Sequence, residues 1–182
     1  MKVLIKGALI GGLVAFIWTN ISWIALPWHQ MTISTFPDEA SIAESLQNNV
    51  KEEGLYILPW TNEKSMEVMN EYDQKVRNGP FAYMVVYPHG FNLNRPKMTI
   101  LGLLYSMLIA LILTYLLTKT KDLSYIQKVG FIKLAAIAGA LVVVVPDLIW
   151  WQFPVSYGVV TIIDTAITWG LAGLAIGKIV KD

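Results

Sequence analysis

Apolar residues run almost unbroken through four stretches of the chain, about 7–27, 98–118, 129–151 and 157–177. Each is close to the roughly 20 residues that a helix needs to cross a bilayer. Between the first and second stretch the pattern changes, with about fifteen charged residues of both signs between Asp38 and Lys97. That segment is expected to fold. Thr35-Phe-Pro37-Asp38 has the form of a helix start, with Pro37 tolerated in the first turn. Ile42, Leu46 and Val50 then recur at helical spacing, and Gly54 is expected to close the helix. Leu55–Leu58 reads as a brief strand between Gly54 and Pro59. A second helix is expected from Thr61 or Asn62, with Met66, Met69, Tyr72 and Val76 on its core face and a stop at Asn78-Gly79-Pro80. Phe81–Tyr87 is the clearest strand signal, and Met31–Thr35 suggests a third strand. The order read from the pattern is strand, helix, strand, helix, strand.

Composition agrees with the membrane class. Of 182 residues, 55% are hydrophobic and the mean hydropathy is +0.52, above the roughly 45–50% of soluble domains. The net charge of +1 says less than where the lysines stand. Lys2 and Lys6 precede the first span, Lys119, Lys121, Lys128 and Lys133 lie around the second connection, and Lys178 and Lys181 follow the last span. By the positive-inside rule these places are cytoplasmic, which gives an N-in, C-in topology and puts residues 29–97 outside. The lysines ahead of the first span, the length of that span and the lack of a small-x-small pair after it read as an uncleaved signal anchor. Cysteine is absent, so no disulfide or thiol chemistry is available. No basic stripe or binding motif supports nucleic acid binding.

The expected fold is a membrane all-α four-helix bundle with a small extracytoplasmic α/β cap inserted between the first two spans. Residues 1–28 form the first span, 29–97 the cap, and 98–182 the other three spans. The second span, rich in bulky aliphatics, is expected to face lipid most. Gly7 and Gly11 in the first span, Gly139 in the third, and Gly173 and Gly177 in the fourth are expected to form the packing seam, because small residues let helices approach closely.

The candidate chemistry is a polar layer within the spans. Counting inward at about 1.5 Å per residue places Asn20 and Asp164 about 10 Å below the outer interface, Tyr105 and Ser106 about 12 Å, and Asp147 about 7 Å. Thr165 adds a hydroxyl beside them. Ionisable residues inside a membrane are expensive and normally face the bundle interior. Two carboxylates buried together do not both ionise easily, so a proton or cation is expected to exchange there. The bland alternative is a set of interhelical hydrogen bonds worth about 0.6 kcal/mol each. His29 and His89, with nearby methionines, carry a weak suggestion of copper. Packing accounts for Met66, Met69 and Met84, so no metal or cofactor is assigned.

Nucleotide-binding, zinc-protease and serine-hydrolase motifs are all missing. The reading is therefore a non-enzymatic partner-binding or assembly component of a bacterial cytoplasmic membrane. Its expected partners are the bilayer and either another membrane protein or a second copy. The alternatives are a proton- or cation-linked transporter or channel subunit using Asp164 and Asp147, and an intramembrane enzyme acting on lipid or quinone.

Overall fold

The computed structural model describes residues 1–180. Four helices are long and apolar enough to cross a membrane: α1 (Lys2–Ile24), α4 (Arg95–Leu117), α5 (Tyr125–Trp150) and α6 (Val155–Ile179). These mark the chain as a membrane protein. The chain divides into two compact units, one holding Met1–Ser34 with the chain from Asn94 onward, the other Thr35–Leu93.

In the larger unit, α1 and α6 are central. Gly7 packs on Thr114, Gly12 on Met107, and Phe16 on Gly102, so α1 and α4 run antiparallel. Gly11 meets Ile176 of α6, while farther along α1 Trp18 reaches Asp164, so this pair is antiparallel too. On the far side of α6, Gly158 touches Leu148, Gly173 touches Val129, and Gly177 touches Tyr125 of α5. The core between these helices is built from Ala15, Ala110, Leu113, Leu117, Ile132, Trp169, Ala172 and Ile176. Gly139 stands apart from this seam: it faces outward, and a Cβ added there meets nothing within 4 Å. The expectation that the second span faces lipid most is also corrected, because α5 is the least buried of the four helices. Glycines on α1 give α4 a close seat, and its aliphatic side chains fill it.

Local sequence sets the helix ends. Ser124 and Gln127 form a capping box that starts α5, and Asn94 accepts from the Lys97 N–H to start α4. Each satisfies donors that the first turn leaves free. Pro146 interrupts the hydrogen-bond ladder of α5 without ending the helix.

The smaller unit contains α2 (Glu39–Asn49), β1 (Gly54–Leu58), α3 (Met66–Asn78) and β2 (Ala82–Val86). The strands pair antiparallel, with Tyr56 opposite Met84. Three expectations for residues 29–97 are corrected. Residues 31–35 form no strand; a 3-10 turn, Gln30–Thr32, takes their place. α2 ends at Asn49, five residues before Gly54. α3 starts at Met66 behind an N-cap at Ser65, which leaves Met66 in the first turn and 79% exposed rather than in a core. The buried apolar residues described in this unit are Val50, Val86 and Pro88, so its core is thin. Gly79 closes α3 at φ 70, a conformation that favours glycine. On the α3 surface, Lys75 pairs with Glu71 at 2.6 Å, and its ammonium holds the exposed Glu71 carboxyl below the ordinary value of 4.5.

Candidate functional site

Asp164 lies in the tenth position of α6 and is only 8% exposed. A carboxylate there needs partners, because an unpaired buried charge is costly. α1 supplies the first. Gly7, Gly11, Ala15, Trp18 and Ser22 succeed one another at spacings of three or four along one face of α1; Gly7 packs on Thr114 of α4, and Gly11 meets Ile176 of α6. Trp18 Nε1–H donates to Asp164 Oδ1 at 2.8 Å.

The second partner comes from beyond the helix. After Ile24 the chain turns back through Pro27 and Trp28, and Gln30 Nε2 donates to the Trp23 carbonyl at 2.7 Å. This return lays the His29 ring on the Trp23 indole, with centroids 3.9 Å apart and planes 6° from parallel. The Trp28 ring meets it edge-on at 5.7 Å. His29 is 3% exposed. Its Nε2 stands 3.2 Å from Asp164 Oδ2 and 3.1 Å from Ser22 Oγ, and Trp28 Nε1–H donates to that same Ser22 oxygen at 3.0 Å. Thr168 Oγ1 donates to the Asp164 carbonyl at 2.8 Å.

Both carboxylate oxygens of Asp164 have a donor within reach. With a proton on Nε2, His29 donates to Asp164 while Trp18 donates to the other carboxylate oxygen, so each oxygen has one donor. Among the described residues, every buried side-chain nitrogen and oxygen has a partner. The geometry also excludes a relay. A serine nucleophile and its orienting acid must bind opposite nitrogens of the histidine, whereas Ser22 and Asp164 share Nε2.

The other residues expected in the polar layer separate from this cluster. Asn20, Tyr105 and Ser106 line a groove of about 270 Å³ between α1 and α4, together with Phe16 and Trp23. Thr165 is half-buried and donates to the Thr161 carbonyl within its own helix. Asp147 is half-buried near the end of α5, where its carbonyl accepts from the Trp151 and Phe153 N–H groups. It is not a hydrogen-bond partner of Asp164. His89 belongs to the smaller unit, in a turn closed by the Gly90 N–H on the Tyr87 carbonyl at 2.9 Å. That turn borders a groove of about 380 Å³ with Lys51, Glu52 and Glu53. Among the described residues no three His, Asp or Glu side chains converge as a metal site.

Trp18, Ser22, Trp28 and His29 complete the Asp164 cluster. No family model, curated protein or solved structure matches the chain.

Proposed function

We propose that the chain is a small polytopic integral membrane protein with a non-enzymatic, partner-binding or assembly role. In this reading both termini are cytoplasmic, residues 29–97 form an extracytoplasmic cap, α1 is an uncleaved signal anchor, and the membrane is a bacterial cytoplasmic one. The lysines around the connection from α4 to α5, with Lys2, Lys6 and Lys178, support that orientation.

The observation that carries the assembly role is the closure of Asp164. Both of its oxygens have donors from the same chain, and the group is buried. A carboxylate that exchanges cations with water needs an open coordination position. Here the acid instead fastens the segment after α1 to α6, which leaves the outer surfaces of the bundle as the places where partners meet it. One observation favours proton-linked transport as a second reading: the contact between His29 Nε2 and Asp164 Oδ2 places a proton between two groups that can each hold it.

The test compares wild type with Asp164→Asn in liposomes, measuring particle mass and proton or cation flux. Assembly predicts no flux from either protein and a weakened assembly in the variant. Wild-type flux abolished by the substitution replaces this reading with transport. Because the chain has no cysteine, single cysteines at Lys64 and Lys121 test the topology directly. The first must react with an impermeant maleimide from outside and the second only after permeabilisation.

A further inference from the structure

α1 carries a second polar side chain that the bundle leaves at its surface. Asn20 is exposed about 6 Å inside the end of α1, counting four residues back from Ile24. Its carboxamide has two N–H donors and one oxygen acceptor. One N–H is spent on the Phe16 carbonyl at 2.8 Å, which leaves one N–H and Oδ1 of this exposed residue without a partner. Tyr105 shares the groove and is 65% exposed, whereas Ser106 has turned its hydroxyl to the Gly102 carbonyl at 3.0 Å.

In hydrocarbon, polar groups without partners cost several kcal/mol, so a surface amide calls for an occupant that supplies both a donor and an acceptor. A phospholipid ester supplies acceptors only and leaves Oδ1 unpaired. A second Asn20 supplies both. Two identical chains inserted in the same direction are related by a two-fold axis along the membrane normal, which brings the same patch of each face to face. One remaining N–H and one remaining oxygen per copy then form two reciprocal hydrogen bonds. Amide pairs across helices are an established means of association in membranes.

We infer that two copies of this chain associate through the α1–α4 groove, with Asn20 of one copy hydrogen-bonded to Asn20 of the other. The inference rests on the membrane reading above and gives its unspecified partner an identity.

Ile24, one turn beyond Asn20, is exposed on the same groove and is the reporter position. Ile24→Cys is expressed in the full chain, membranes are washed at alkaline pH to establish insertion, and the retained protein is oxidised. The expected product is a disulfide-linked species of twice 20.4 kDa. Adding Asn20→Leu, which removes the amide from both copies, weakens association roughly eight- to three-hundredfold, the range expected for two interhelical hydrogen bonds. Adding Asn20→Gln, which keeps the carboxamide, preserves most of the linkage. Val142→Cys, exposed on α5, gives none. The inference is overturned if inserted Ile24→Cys protein does not link, if Asn20→Leu leaves linkage undiminished, or if the cysteine captures a protein of another mass. Release of the chain by the alkaline wash overturns the membrane reading itself, and this inference with it.

Discussion

His29 Nε2 lies 3.2 Å from Asp164 Oδ2, although 135 residues separate them in the chain. This contact, with the Trp18 bond to the other carboxylate oxygen, ties the turn after α1 to the middle of α6. It fixes one end of the bundle by polar groups where the other end is fixed mainly by glycine packing and aliphatic side chains.

The polar cluster has a definite mutational signature. Asp164→Ala removes the acceptor from both Trp18 and His29 and is expected to cost about 3–5 kcal/mol, as when one partner of a buried pair is deleted. Asp164→Asn keeps an acceptor for Trp18 and loses only the charged partner of His29, so it should cost less, about 1–3 kcal/mol. The double variant Asp164→Leu/His29→Phe removes both members of the pair and keeps an aromatic ring on Trp23, so it should be more stable than Asp164→Ala. Unfolding in detergent micelles, followed by circular dichroism, ranks the three. Equal stabilities for Asp164→Ala and wild type would remove the cluster from any structural role.

The glycines should grade by what a new methyl group would strike. At Gly12 it meets the Met107 backbone, with Cα at 2.5 Å and N at 2.8 Å, and backbone cannot step aside. At Gly11 it meets Cγ1 and Cδ1 of the buried Ile176, both at 2.6 Å, a side chain that must shift but costs less to move than backbone. At Gly139 it meets nothing within 4 Å, and alanine gains up to about 1 kcal/mol of helix propensity. The expected order of stability is Gly139→Ala at or above wild type, then Gly11→Ala, then Gly12→Ala. Thermal unfolding of the three variants in one detergent checks it, and a Gly12→Ala protein as stable as Gly139→Ala contradicts the α1–α4 packing.

The same α1 face explains what was legible in the sequence. The four helices follow from length and hydropathy alone, and Gly7, Gly11, Gly173 and Gly177 sit where small residues allow close approach. Asp164 was conspicuous because a carboxylate in an apolar run has few structural options. Its partners were harder to see. Continuing the Gly7, Gly11, Ala15 spacing onward reaches Trp18 and Ser22, so the stripe is written in the sequence as a helical face, which depth along the span does not reveal. Depth alone groups Asn20 and Tyr105 with Asp164, and facing separates them. His29 was hidden for a different reason. It reaches Asp164 only because the chain reverses after Ile24, and no periodicity records a reversal. In the smaller unit, Met66 looked like a core residue until the helix start at Ser65 put it in an exposed first turn.

The Glu71–Lys75 pair supplies a pH prediction with a fixed sign. Lys75 lowers the Glu71 pKa by its hydrogen bond first and its charge second. A carboxylate with a lowered folded-state pKa contributes stability that is present above its ordinary value and lost as the pH falls through the lowered one. Both groups are open to solvent, so screening keeps the effect on stability small. The clean observable is the titration itself. By carboxyl-carbon NMR, Glu71 should titrate below 4.5 in the wild type and return toward 4.5 in Lys75→Ala. An unchanged midpoint would show that the pair does not persist in solution.

At the opposite end of the bundle from His29, α5 holds the last turns of α6 by two side chains. Tyr125 Oη–H donates to the Leu174 carbonyl at 2.9 Å, and Lys128 Nζ donates to the Val180 carbonyl at 3.1 Å. The final carbonyls of a helix lack intrahelical donors, and a cation near them is favourable by about 0.3–2 kcal/mol. Lys128 is buried, so its methylenes also fill space against α6, where a Cβ added at Gly177 would meet the Lys128 Cβ at 3.6 Å. Lys128→Met retains much of that volume and removes the charge and its donors, which separates packing from polar capping. Hydrogen exchange should then accelerate at the amides from Ile176 to Val180 while those around Asp164 keep their protection. Tyr125→Phe should give a smaller acceleration in the same turn, in line with the roughly 0.5–1.5 kcal/mol of one neutral hydrogen bond. Acceleration spread evenly along α6 would mean that the substitution loosens the whole helix, and an unchanged profile would mean that Lys128 does not hold the Val180 carbonyl.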